Sequence, residues 1–263
     1  MSAEDLEFRV GQNGNFYFLF HEKGKICRFD SAGKLIRSVL TAGPLTHRHV
    51  AFTLTPEGDV LLLDGRGRSL YRYDVSLDLV GKYSLAGKDE LEPFFGLTAT
   101  SWGDLFVAAG LQSKIWKLEP EGQSFTTKPV FLPESFRYSF PFEVEGGKLA
   151  ATDPLGALMM MDRYGNLLRS FSFRKGLRAA PLGENFLATF WPYTEVMVLN
   201  TVGVVLSNWK AAELDSVFKN VMDFQVVQSK VYFLLPSSNT ILVFQLKQPK
   251  SKSSTEEGNR GLE

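Results

Sequence analysis

Gly14-Asn15-Phe16-Tyr17-Phe18 is a polar turn followed at once by an apolar run, and the same pattern returns five more times along the chain. The later copies are Gly58-Asp59-Val60-Leu61-Leu62, Gly103-Asp104-Leu105-Phe106-Val107, Gly147-Lys148-Leu149-Ala150, Glu184-Asn185-Phe186-Leu187 and Ser229-Lys230-Val231-Tyr232-Phe233. Counted from the polar residue that opens each run, the spacings are 44, 45, 44, 37 and 45. A second apolar run follows every copy, from Ile26-Cys27-Arg28-Phe29-Asp30 in the first to Ile241-Leu242-Val243-Phe244-Gln245 in the last. It closes on a polar residue 15 positions after the opening one in five units and 14 in the fourth. Two registers that keep step over six units mark a repeat protein.

Most units continue through another turn into a third run, as in Gly33-Lys34-Leu35-Ile36-Arg37 and Gly165-Asn166-Leu167-Leu168-Arg169. A further short apolar stretch precedes each opening turn, for example Val50-Ala51-Phe52-Thr53-Leu54 and Gly96-Leu97-Thr98-Ala99-Thr100. Four short antiparallel strands per repeat of this length predict the blades of an all-β propeller, which hides its sheet edges by packing blades radially around a channel. The pattern resembles the NHL family of β-propellers, whose repeat carries a Gly-Asn turn, a strand ending in Asp, a second strand closing on Phe-Asp, and a Gly-Lys turn. Gly14 to Lys34 matches it best. The family's Asp, five residues after the opening one, stands here as Asp64 and Asp153, and is replaced by Phe20, Ala109, Phe190 and Leu235.

The resemblance implies a six-bladed β-propeller of four-stranded antiparallel blades over residues 1–246. The blades are expected near 7–43, 48–87, 94–133, 138–174, 177–209 and 221–246, with the last blade three-stranded or completed by a short N-terminal segment. Residues 247–263 are too polar for a strand and predict a disordered tail. One departure from all-β character is expected: Leu214, Val217, Phe218 and Val221 fall at i, i+3, i+4 and i+7, which predicts a short helix over 211–220.

Composition agrees with a folded ring. The 263 residues are 44% hydrophobic and 22% charged, which excludes a disordered or collagenous body, and 22 Phe suit half-buried strands. Basic and acidic residues number 29 each, so no whole-molecule field attracts nucleic acid or an anionic membrane. One cysteine excludes an internal disulfide framework and any multi-cysteine metal site. No apolar run approaches the roughly 18 residues that span a bilayer. The chain reads as soluble and, with no export signal, cytoplasmic, although a mature exported form would look the same.

The candidate reactive groups are few. Cys27 aligns with Tyr71, Trp116, Met159, Met197 and Leu242, all large and apolar, so it is expected to be a buried structural thiol. His21, His47 and His49 lie on one expected face, yet no carboxylate adjoins the His47–His49 pair and Arg48 separates them, so no metal is expected. That face gathers basic and aromatic residues from several loops. Phe94, Phe95, Phe136, Arg137, Tyr138, Arg174, Lys175, Arg178, Trp191 and Tyr193 are the expected partner contacts. Acidic residues such as Glu90, Glu92 and Asp215 share it, and this mixed charge disfavours an RNA footprint through Arg137, Arg174, Lys175 and Arg178.

The expectation is therefore a non-enzymatic scaffold, a subunit of a larger assembly that binds a protein partner through one propeller face without a cofactor. The alternative is a propeller enzyme or small-ligand binder, similar to calcium-dependent lactonases and other hydrolases, using Asp64, Asp153 and Asn239 at the channel mouth. No Gly-x-Ser-x-Gly elbow, phosphate loop or His-Glu-x-x-His motif occurs to support catalysis.

Overall fold

The repeated turns are built alike. Gly14, Gly58 and Gly103 take φ of 80°, 96° and 89°, a left-handed conformation that costs glycine nothing. In each turn the N–H of the residue four before the opening polar one donates to that residue's carbonyl, as Gly11 does to Asn15, Thr55 to Asp59 and Thr100 to Asp104. Apolar residues on either side then pair as antiparallel strands. The computed structural model describes residues 6–42, 50–64, 68–86, 94–109, 114–130, 140–144, 146–153, 155–190, 195–210, 213, 221, 223–235 and 238–245, with Phe95, Ala109 and Phe140 described by backbone alone.

Twenty-three strands fall into six meanders among these residues. The first is β1 (Leu6–Val10), β2 (Phe16–Phe20), β3 (Lys25–Phe29) and β4 (Leu35–Leu40). The second is β5 (Val50–Leu54), β6 (Val60–Asp64), β7 (Ser69–Tyr73) and β8 (Leu79–Ala86), and the third is β9 (Phe94–Ala99), β10 (Leu105–Ala109), β11 (Lys114–Glu121) and β12 (Ser124–Val130). The fourth is β13 (Phe140–Val144), β14 (Lys148–Thr152), β15 (Ala157–Asp162) and β16 (Leu167–Ser172). The fifth is β17 (Leu177–Leu182), β18 (Asn185–Phe190), β19 (Glu195–Leu199) and β20 (Val205–Lys210), and the last is β21 (Asp223–Val227), β22 (Lys230–Leu235) and β23 (Thr240–Gln245).

Within each meander consecutive strands are antiparallel, and four of the five pairings between third and fourth strands carry a register shift at one end. The first strands contact one another in cyclic order: β1 with β5, β5 with β9, β9 with β13, β13 with β17, β17 with β21, and β21 with β1. The core follows the same cycle. One cluster joins Tyr17, Leu19 and Ile26 of the first meander to Phe52, Leu62 and Tyr73 of the second. Corresponding clusters lie between each later pair, and Phe8, Val10 and Phe16 meet Tyr232 and Leu234 to join the first meander to the last. Antiparallel four-stranded sheets packed face to face around a ring of first strands form a β-propeller.

One sheet departs from the expected separate blades. β8 runs on to Ala86 and pairs in parallel with β12, Ser84 opposite Ser124 and Thr126 opposite Ala86, so that the second and third meanders form one eight-stranded sheet. Tyr83 packs edge-on against Phe125 beside this junction, ring centroids 5.4 Å apart, and Leu85 is buried there. The last meander has three strands among the described residues. Of the helix expected over 211–220 only Glu213 is described, and the tail over 247–263 lies outside the described residues.

Candidate functional site

Side chains alternate across a strand, so each first strand turns one set into the packing between meanders and the other toward the centre of the ring. In β1, Phe8 and Val10 are buried, whereas Glu7 and Arg9 line a central cavity of about 370 Å³. Thr53 of β5, Thr98 of β9, Glu143 of β13, Arg178 of β17 and Asp223 and Gln225 of β21 line the same space.

Many of these polar groups bridge adjacent first strands or the turns beside them. The Arg178 guanidinium donates from Nη1 to Asp223 Oδ1 at 3.0 Å, linking β17 to β21. The Phe52 N–H donates to Glu7 Oε2 at 3.4 Å, linking β5 to β1, and the Thr98 hydroxyl donates to the Pro141 carbonyl, linking β9 to β13. Glu143 accepts from the Ser101 N–H at 2.5 Å and from its hydroxyl. Arg9 lies 3.6 Å from Glu7, donates to the Phe8 carbonyl at 2.8 Å and stacks 5.1 Å above the Phe52 ring.

Removal from bulk water pushes the Asp223 carboxyl above its ordinary pKa, against the pull of Arg178 and Arg9. His21 is 5% exposed with Nε2 3.5 Å from Glu7, so it is buried beneath the loop face instead of displayed on it. Such a cavity offers two cations and three carboxylates to a small polar guest.

The expected channel-mouth residues do not form one ligand set among these groups. Asp64 ends β6 opposite Val50, Asn239 is exposed in a turn with φ of 51°, and neither lines the cavity. Asp153 is only 2% exposed, and its Oδ1 accepts the Leu155 N–H at 2.7 Å to close its own turn. Burial corrects its placement at an open mouth. Among the described residues no three His, Cys, Asp or Glu side chains cluster to hold a metal ion.

The expected partner face divides. Phe94 is fully buried between the second and third meanders and is corrected from surface contact to core, because the propeller packs that end of β9 against Leu63 and Leu70. Arg178 belongs to the channel wall. Arg174 is exposed, paired with Glu195 at 2.7 Å and stacked 4.3 Å over Phe190, with exposed Lys175 beside it. Phe136, Arg137, Tyr138, Trp191, Tyr193, His47 and His49, and the side chain of Phe95, lie outside the described residues. Cys27 is buried, and that burial pushes its thiol up in pKa despite Lys25 and Lys23.

The outer rim carries a surface that sequence reading passed over. Leu35 and Ile36 of β4, Leu79 and Val80 of β8, Leu167 and Leu168 of β16, and Val205 and Leu206 of β20 are all exposed. On the fifth meander, exposed Val202 and Val204 flank Gly203, which sits directly against Phe171 of β16, so the apolar surfaces of two meanders adjoin. The signal was present as adjacent apolar pairs opening the third runs. For the channel it was the charges at alternate positions, Glu7 and Arg9, in a first strand. No helix of the described residues is long and apolar enough to cross a membrane.

No protein-family model and no curated protein matches the chain. Solved structures do. A catalytically inactive variant of virginiamycin B lyase from Staphylococcus aureus, solved with quinupristin, is similar at a TM-score of 0.64 and 14% identity, covering 94% of this chain and 86% of that one. Raptor from Chaetomium thermophilum is similar at a TM-score of 0.66 and 13% identity, covering 93% of this chain and 23% of that one. The β-propeller domain of Myceliophteria thermophila Cps50 (Swd1) is similar at a TM-score of 0.61 and 10% identity, covering 93% of this chain and 84% of that one. At these identities the likeness is one of fold, and the NHL resemblance rests on the turn and strand motifs alone. Meanders, cyclic core and structural neighbours agree: the chain is a β-propeller.

Proposed function

We propose that the chain forms one six-bladed propeller over residues 1–246, with 247–263 apart from it, and that it serves as a non-enzymatic platform for a protein partner. The observation that carries this reading is the apolar rim: Leu167, Leu168, Val205 and Leu206 are each 41–52% exposed on adjoining meanders. Clustered exposed apolar groups of this kind mark protein contacts more often than solvated surface. The loop-face residues Phe95, Phe136, Arg137, Tyr138, Arg174, Lys175, Trp191 and Tyr193 extend the same proposal to one face of the ring. Affinity purification from the native source with cross-linking tests it. Wild-type chain should recover a defined partner, and Leu168→Asp with Leu206→Asp should lose it while keeping the fold. Recovery of the same partner by the double variant would sink the reading.

A second reading is a small-ligand binder or enzyme, and the central cavity with Arg9, Arg178, Glu7, Glu143 and Asp223 favours it. The similarity to a lyase supports the same idea. A thermal-shift screen with divalent cations and small zwitterions should then give stabilisation that Arg178→Ala removes.

A further inference from the structure

Five meanders end in a fourth strand antiparallel to the third. In the last, β23 is the outermost strand among the described residues, and Val243, Phe244 and Gln245 on it are exposed. Its sequence is nevertheless that of a covered strand. Ile26, Leu70, Ile115, Leu158 and Val196, at the place of Ile241, are buried, whereas Ile241 is half-buried. Tyr73, Leu118, Met161 and Leu199 are buried and Phe29 half-buried, whereas Phe244 at the same place is 38% exposed and Val243 beside it 49%.

The neighbouring turn gives an independent sign. In four meanders an Asp or Asn folds the turn between third and fourth strands by accepting two backbone N–H groups: Asp30, Asp74, Asp162 and Asn200. Three of these turns rest on the fourth strand of the preceding meander. Asp78 pairs with Arg37 of β4, Gly165 lies against Val130, and Gly203 lies against Phe171. The fourth is the turn of the first meander, which follows the last around the ring. A methyl group added at its Gly33 would meet nothing within 4 Å among the described residues, and Ser31 to Arg37 are exposed.

We infer that the β23 edge accepts a single extended strand from a partner protein, antiparallel to Thr240–Gln245 and seated under the Asp30–Lys34 turn. This deepens the platform reading and rests on it. The exposed row of backbone groups on an edge strand supplies affinity, and alternating apolar side chains supply specificity. Residues 246–263 do not fit the place: Leu246 and Leu262 are their only large apolar residues, against the adjacent pairs Leu35-Ile36, Leu79-Val80, Leu167-Leu168 and Val205-Leu206 of the fourth strands. A second copy would bring a whole sheet where the other meanders hold a single fourth strand.

The probe is a fluorescein-labelled peptide of residues 203–210, the chain's own fifth fourth-strand, titrated into the full chain with anisotropy as readout. Saturable binding is expected, at least tenfold weaker in Val243→Asp and unchanged in Leu168→Asp with Leu206→Asp. Hydrogen exchange on the wild-type chain, which needs no variant, should show fast exchange at 240–245 that slows with peptide. No binding, or binding indifferent to Val243→Asp, overturns the proposal. So does a concentration-dependent dimer that Val243→Asp abolishes, which assigns the edge to a second copy. Slow exchange at 240–245 that becomes fast on removing 247–263 also overturns it. Any of these leaves the rim test untouched, so the two readings fail separately.

Discussion

Arg178 and Asp223 meet at 3.0 Å across the junction of β17 and β21, and they place a charge pair on the wall of the channel where two neighbouring meanders come together. The pair is held where water is scarce for the acid, whose side chain is 21% exposed, and less so for the base at 42%. Desolvation outweighs the attraction of Arg178 and Arg9 in setting the proton affinity of Asp223.

A raised carboxyl pKa in the folded state gives stability that is fully present below the unfolded pKa and lost as pH rises through the folded one. Asp223→Asn removes this dependence. The variant should therefore gain stability relative to wild type as pH climbs from 4 to 7.5, whatever constant offset the amide adds. Urea midpoints at both values check it, and a difference that is flat or falls with pH would refute the assignment.

Gly203 and Gly33 share left-handed φ of 81° and 83°, yet an added Cβ meets Phe171 Cδ1 at 2.5 Å in the first and open space in the second. Gly33→Ala should cost about 1–2 kcal/mol, the conformational penalty alone. Gly203→Ala should cost a further amount, on the order of 1–3 kcal/mol, from overpacking. Equal losses in chemical denaturation would contradict the packing of the fifth meander's turn on β16.

The rings of Tyr83 and Phe125 lie across the parallel β8–β12 junction. A double-mutant cycle of Tyr83→Leu and Phe125→Leu should return a coupling of about 0.5–1.5 kcal/mol. Additive losses would mean that the junction is not closed in solution.

Cys27 is 5% exposed and its thiol is raised by burial. Reaction with a disulfide reagent at pH 7.5 should be at least about tenfold slower in the folded chain than in urea, since the thiolate is the nucleophile. Equal rates would place the thiol at the surface.

The strands of the ring were legible because turn chemistry is local. Glycine at positive φ before a polar residue, and an Asp or Asn accepting two N–H groups after the third strand, recur at readable spacing, so β2, β6, β10, β14, β18 and β22 begin within one residue of the expected places. Cys27 was legible for a related reason: its position in the repeat is apolar in every other unit.

What depends on neighbours across the ring was not legible. Phe94 reads as an exposed aromatic from its loop-like flank, and only the packing of β9 on the second meander buries it. Glu7 and Arg9 alternate with apolar residues, and alternation in a first strand does not distinguish open water from an enclosed channel. The parallel pairing of Ser84–Ala86 joins segments about 40 residues apart and carries no motif at all.

That pairing bears on the order in which the molecule comes apart. In a ring of repeats each unit leans on two neighbours, and loss of structure spreads from unit to unit. Here β5 to β12 share one hydrogen-bonded sheet, so the two meanders should melt as one block. Among the described residues the first meander and the last share no strand pairing and meet through Phe8, Val10, Phe16, Tyr232 and Leu234. The ring should part at that seam while the welded half still holds, and the seam adjoins the edge of β23.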